Sequence, residues 1–164
     1  MGGAIVQLLA AGRPPWLEKA IVAGSGAQMR VEPEILDGLR PEVGRDGFER
    51  AVNLICQQAY GPLASRQMVH HSRQLLLAVD RDVFYTDYLA CDGFDESDAL
   101  EHIRVPVLVI SGSLDRMTPP TDSPTLSQCI PGAQLVEIRD AGYMMILQKP
   151  GEVAQEVSRF LGVH

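Results

Sequence analysis

The sequence has little cysteine, no run of basic residues and no long apolar stretch, and each shortage removes a class of function. Its three cysteines, Cys56, Cys91 and Cys129, lie far apart with no C-x-x-C pair. That argues against a disulfide framework or a zinc site and fits a reducing cytoplasm, with the thiols acting as small buried apolar groups. Lys and Arg number 14 against 21 Asp and Glu, a formal charge of −7, and the basic residues are scattered. No nucleic-acid or anionic-membrane partner is therefore expected. No apolar run reaches the roughly 18 residues that a membrane span needs. Residues 1–11 lack a basic n-region, and their apolar part from Ile5 onward is short for a secretory signal. Val6 stands where a myristoylation motif has Ser or Thr.

Metal and phosphate chemistry are equally thin. His70 and His71 are adjacent, so on a helix their side chains diverge by about 100° and read as a solvated face. His102 belongs to the linker before Pro106, and His164 is the last residue. The acids Asp80, Asp82, Asp87, Asp92, Asp95, Glu96 and Asp98 lack the spacing and the glycine of an EF-hand loop. Gly24-Ser25-Gly26 is too short for a phosphate loop and has no lysine after it. No metal and no cofactor are expected.

What the sequence does contain is enough apolar residue, 46% over 164 positions, for a core of ordinary size. Three short β-branched or apolar runs read as buried strands of a parallel sheet, at about 20–24, 106–111 and 134–138. The second is closed by Ser111-Gly112-Ser113, with Asp115 directly after it, and the third ends at Asp140-Ala141-Gly142-Tyr143. Both loops leave the carboxyl ends of neighbouring strands, where open α/β sheets place their ligands. Helical periods occupy 34–39, 48–60, 64–79, 81–90, 123–130 and 151–161, broken by Gly44, Gly61-Pro62 and Asp80. In the last of these, Val153, Val157, Phe160 and Leu161 form the apolar stripe. Ala4, Ile5, Leu8, Leu9 and Ala11 make an apolar face on an opening helix that Gly12-Arg13-Pro14-Pro15 stops.

The run Ile103-Arg104-Val105-Pro106-Val107-Leu108-Val109-Ile110-Ser111-Gly112-Ser113-Leu114-Asp115-Arg116-Met117-Thr118-Pro119-Pro120 resembles the acid-bearing end of α/β-hydrolases, in particular their lactonase and esterase-like branch. So does Ile130-Pro131-Gly132-Ala133 with the strand after it. In that family Ala-Gly-His follows, and its His is the general base of a Ser-His-Asp triad. Here the triplet is Ala141-Gly142-Tyr143, although the flanking Met144-Met145-Ile146-Leu147-Gln148-Lys149-Pro150 keeps the family pattern. Met1-Gly2-Gly3-Ala4-Ile5-Val6-Gln7-Leu8-Leu9-Ala10 is similar to the second half of the nucleophile elbow, Gly-x-Ser-Met-Gly-Gly, and the helix it opens. By that register the nucleophilic Ser would be the residue immediately before Met1. The sequence then reads as the C-terminal part of the fold, from a start assigned to an internal Met or from a truncated gene.

The resemblance implies a partial α/β-hydrolase fold in which residues 1–27 and 99–164 form the core and 28–98 a helical cap or lid. Met68, Leu75, Leu76, Phe84 and Tyr88 are expected as core between cap helices. The resemblance also makes Asp115 the triad acid, Tyr143 the occupant of the base position, and Met1 the residue whose N–H follows the nucleophile at the oxyanion hole. The expected ligand is a small hydrophobic ester or lactone. A phenol with pKa near 10 does not serve as a general base at neutral pH, so the chain as given is expected to be inactive. A hydrogen bond from Tyr143 to Asp115 would be the surviving link. The other function class is a non-catalytic binding or regulatory module that keeps the cap and the pocket. The unpaired strand at 20–24 is an association hazard.

Overall fold

The computed structural model describes residues 1–119 and 121–163, so Pro120 of the resembling run and His164 lie outside the described residues. The chain begins with helix α1 (Gly2–Ala11), followed by strand β1 (Ala20–Ala23). Four helices come next: α2 (Pro33–Leu39), α3 (Arg45–Ala59), α4 (Arg66–Leu77) and α5 (Arg81–Cys91). The short α6 (Ser97–Leu100) leads to β2 (Val107–Gly112), α7 (Asp122–Cys129), β3 (Gln134–Ile138), α8 (Met145–Gln148) and α9 (Pro150–Leu161). The three strands form one parallel sheet in the order β1-β2-β3, as expected, but β3 is not the buried strand its run predicted: it lies at the sheet edge, with Leu135 40% exposed and Ile138 its one buried residue.

β2 is central and buried along its whole length, which explains why its sequence is continuously apolar instead of alternating. Its odd positions Val107 and Val109 join Ala20, Val22, Ala10, Leu100 and Leu126 on one face of the sheet. Its even positions Leu108 and Ile110 join Ile138, Met145 and Val153 on the other. The period of two thus feeds two separate layers of helix. On α9, Val157 and Phe160 pack with Val153 as expected, but Leu161 is 42% exposed because the helix ends there at Gly162.

The helices α2 to α5 build a third cluster of their own around Ile35, Leu39, Phe48, Val52, Ile55 and Phe84. Ser65 caps α4 by accepting from the Met68 N–H. Asp80 caps α5 by accepting from Asp82 and Val83. Other acids of the suspicious cluster are similarly occupied: Asp92 accepts from the Val31 N–H, and Asp95 from Ser97 and Gln28. Phe84 and Leu76 belong to this cluster as expected, whereas Leu75 is 58% exposed on the outer face of α4.

The opening helix departs from its periodic pattern. Ala4, Gln7 and Ala10 are its buried residues, while Ile5, Leu8 and Leu9 are each close to half exposed. Small side chains let the helix approach the sheet closely, and the buried Gln7 uses the contact to donate to Ser25 Oγ at 3.2 Å and to the Gly26 carbonyl at 3.0 Å. The large apolar residues are left on the side away from the sheet. Among the described residues no helix is long and apolar enough to cross a membrane.

Candidate functional site

The loops after β1, β2 and β3 meet at the carboxyl edge of the sheet, and close packing of backbone on backbone fixes their relation. A Cβ at Gly112 would lie 2.4 Å from the carbonyl oxygens of Ala141 and Gly142, so only glycine lets the β2 and β3 loops touch. Three hydrogen bonds then join them: Ser113 N–H to the Ile138 carbonyl, Leu114 N–H to the Ala141 carbonyl, and Asp140 N–H to Ser113 Oγ. Asp140 adopts φ 57°, a left-handed turn that Asp tolerates better than most residues. Through these contacts Asp115 and Tyr143 are held on neighbouring loops.

Asp115 is 3% exposed, and its carboxylate is clamped by its own loop. Oδ1 accepts from the N–H groups of Met117 at 2.8 Å and Thr118 at 2.9 Å, and Oδ2 accepts from Thr118 Oγ1 at 2.6 Å. Burial pushes its pKa up, and these three donors pull the other way without cancelling it. Tyr143 is half-buried, with its ring edge against the α-carbon of Gly24, where a Cβ would meet Tyr143 Cδ2 at 2.9 Å. Gly24 also sits at φ +56°, so two independent constraints require glycine there. Burial, and then the negative charge of Asp115, raise the Tyr143 pKa above that of an ordinary phenol.

The expected hydrogen bond between the two is not formed: among the described residues the Asp115 carboxylate receives Met117 and Thr118 and no phenol. The clamp satisfies the carboxylate locally, so Tyr143 is free to lean on Gly24. Met1 stands at the start of α1 and, with Tyr143, Gly24 and Ser25, lines a cavity of about 800 Å³. Thus the three sequence-derived positions converge, Met1 and Tyr143 on the cavity wall and Asp115 directly behind it. His70, His71 and His102 are exposed and away from it.

Two features escaped sequence reading. Thr118 is the main clamp on Asp115, and the Asp-x-x-Thr spacing of an Asx-type turn was the available signal. Tyr88 and Phe84 of α5 line the cavity as well as packing in the helical cluster, which overturns their assignment to core alone. Burial pushes the Tyr88 pKa far up, with the nearby Tyr143 adding to it.

A prediction follows for the acid. Because the folded-state pKa of Asp115 lies above its unfolded value, the folded chain favours the proton, and stability falls as pH rises from near 4 through the folded pKa. Asp115→Asn keeps an acceptor for both backbone N–H groups and removes the buried charge. Its melting temperature at neutral pH is expected to equal or exceed that of the parent, with the pH dependence flattened. Asp115→Ala leaves the donors unpaired and should cost about 1–3 kcal/mol. Thermal melts across pH 4 to 8, roughly the range in which a raised carboxyl titrates, check both.

No family model matches the chain. It is similar to solved structures, among them a thermophilic esterase, 33% identical with a TM-score of 0.84 over 98% of this chain and 62% of that one. The enol-lactonase of Burkholderia xenovorans is 23% identical with a TM-score of 0.88, over 99% of this chain and 63% of that one. The fold is an α/β-hydrolase fold, present in part. The chain spans less than two thirds of the length of these α/β-hydrolase structures. It is also 29% identical over 159 residues to the polyketide synthase ThaQ of Burkholderia thailandensis, covering 89% of this chain and 7% of that protein.

Proposed function

We propose that the chain carries the acid-bearing and cap-bearing part of an ester- or lactone-hydrolase site, and that as given it does not hydrolyse esters. The observation behind this reading is Tyr143, which follows the β3 loop beside Asp115 with its phenol pKa raised by burial and by that carboxylate. A general base must take a proton from its nucleophile near the working pH. A phenol whose proton is held more firmly than usual does the opposite and donates. The substrate class is drawn from the solved relatives, an esterase and an enol-lactonase by name.

In this reading residues 28–98 are the cap. Its support is that Phe84, Tyr88 and Cys91 of α5 line the cavity together with Tyr143 of the sheet loops. Met1 takes the oxyanion-hole position at the start of α1. The reading calls for no metal, cofactor or nucleic acid, and three widely spaced cysteines without a C-x-x-C pair fit a reducing cytoplasm.

The test is turnover of short-chain aryl esters, which is expected to stay at the buffer rate. A rate that saturates with substrate and disappears in Asp115→Ala would falsify the proposal. A second reading, a non-catalytic binding module, is favoured by the cavity itself. About 800 Å³ remains open beside Tyr143, room for a small ligand whether or not chemistry follows.

A further inference from the structure

Two phenols from unrelated parts of the chain reach the same cavity, Tyr88 from α5 and Tyr143 from the loop after β3. Among the described residues neither hydroxyl has a hydrogen-bond partner, and neither is among the buried polar atoms sealed without one. Each hydroxyl therefore keeps access to solvent, and both residues line the cavity. Tyr60 shows the contrast, since its hydroxyl is taken up internally by Ser72 Oγ at 2.5 Å. The two ring directions are fixed by packing. Tyr88 stands edge-on to Phe84 with centroids 5.2 Å apart, and Tyr143 lies against Gly24. Both phenols stay protonated through the neutral range, because burial raises their pKa and Asp115 raises that of Tyr143 further. They are donors in a partly desolvated place, where an acceptor from outside gains the most.

We propose that Tyr88 and Tyr143 form a paired hydrogen-bond donor site for the carbonyl oxygen of an ester or lactone held in this cavity. A carbonyl oxygen has two lone pairs and no donor, so it can receive both phenols at once. An alcohol or an amine brings protons of its own and matches two donors less well. The remainder of the ligand meets Val31, Ile35, Phe84 and Met117, an apolar wall suited to an alkyl chain. Exchanging His for Tyr at position 143 thus converts the base position into a binding position. This rests on the non-catalytic reading above.

The experiment is calorimetric titration of the intact protein with δ-decalactone and with the cyclic ether of the same skeleton lacking the carbonyl. The lactone is expected to bind roughly 10-fold tighter than the ether, the scale of one to two net hydrogen bonds. Tyr143→Phe and Tyr88→Phe keep both rings and should each weaken the lactone by roughly 3- to 10-fold while leaving the ether unchanged. Equal binding of lactone and ether by the parent overturns the donor pair and leaves the binding-module reading standing. Equal losses for both ligands in the Phe variants overturn it too, because packing then explains them. Binding of neither ligand overturns both the pair and the binding-module reading. Release of hydroxy acid during the titration overturns the non-catalytic reading alone, and the lactone-to-ether ratio at short times still decides the pair. The parent comparison needs no variant to fold.

Discussion

Tyr143→His, made in this chain after it is joined to an upstream α/β-hydrolase half chosen to carry Gly-x-Ser, is expected to raise aryl-ester hydrolysis by roughly 100-fold or more. That corresponds to about 2.7 kcal/mol of barrier. The joined protein supplies a strand, a Gly-x-Ser elbow and an upstream loop, so the serine and the anion site are present in both members of the comparison. What differs is the group that takes the serine proton. With Tyr143 the proton acceptor is a phenol made still less acidic by burial and by Asp115. With His the same Asp115 orients the ring and stabilises the imidazolium, as in a Ser-His-Asp triad. The carboxylate has room for this: three of its roughly four acceptor positions are taken by Met117 and Thr118, which leaves one for an imidazole N–H. A joined protein already fast with Tyr143, or one that gains nothing from His while its melt is unchanged, would show that position 143 is not the base position.

The strands were legible because a central parallel strand has no solvent face, and Val107, Leu108, Val109 and Ile110 carry that fact in four successive letters. That Asp115 and Tyr143 lie on neighbouring loops was legible from the residues flanking them, since the length and glycines of both loops are fixed by the strand ends. The opening helix was not. Its hydrophobic period pointed Ile5, Leu8 and Leu9 inward, yet closeness to the sheet selects small residues, and Ala4 and Ala10 took that face with Gln7. Periodicity reports which residues avoid water, without saying what will cover them. The pairing of Tyr88 with Tyr143 was illegible for a different reason. It depends on how α5 lies over the sheet loops, a tertiary relation that leaves no mark on local spacing.

The side of α1 turned away from the sheet supplies the remaining prediction: the 164-residue chain on its own is expected to self-associate through it. Ile5, Leu8 and Leu9 are 49%, 48% and 45% exposed on a helix that carries no charged residue at all. Beneath it β1 is an edge strand of the sheet, with one side of its backbone unpaired. We propose a second copy as the occupant. Each copy carries a net charge of −7, and α1 is the apolar surface on which two copies can meet without bringing carboxylates together. Burying the exposed halves of these side chains is worth about 1 kcal/mol each. Leu8→Glu with Leu9→Glu removes four such contributions from a symmetric dimer, so dimerisation should weaken by roughly 1,000-fold. Trp16→Glu is the control, since Trp16 is 66% exposed but lies outside the helix. Sedimentation velocity over a concentration series reads the result. A compact monomer with a sharp melt at the highest concentration counts against the second copy. Monomer formation on joining an upstream α/β-hydrolase half to the chain, together with association in its absence, identifies the α1 face and the β1 edge as the surface that such a half covers.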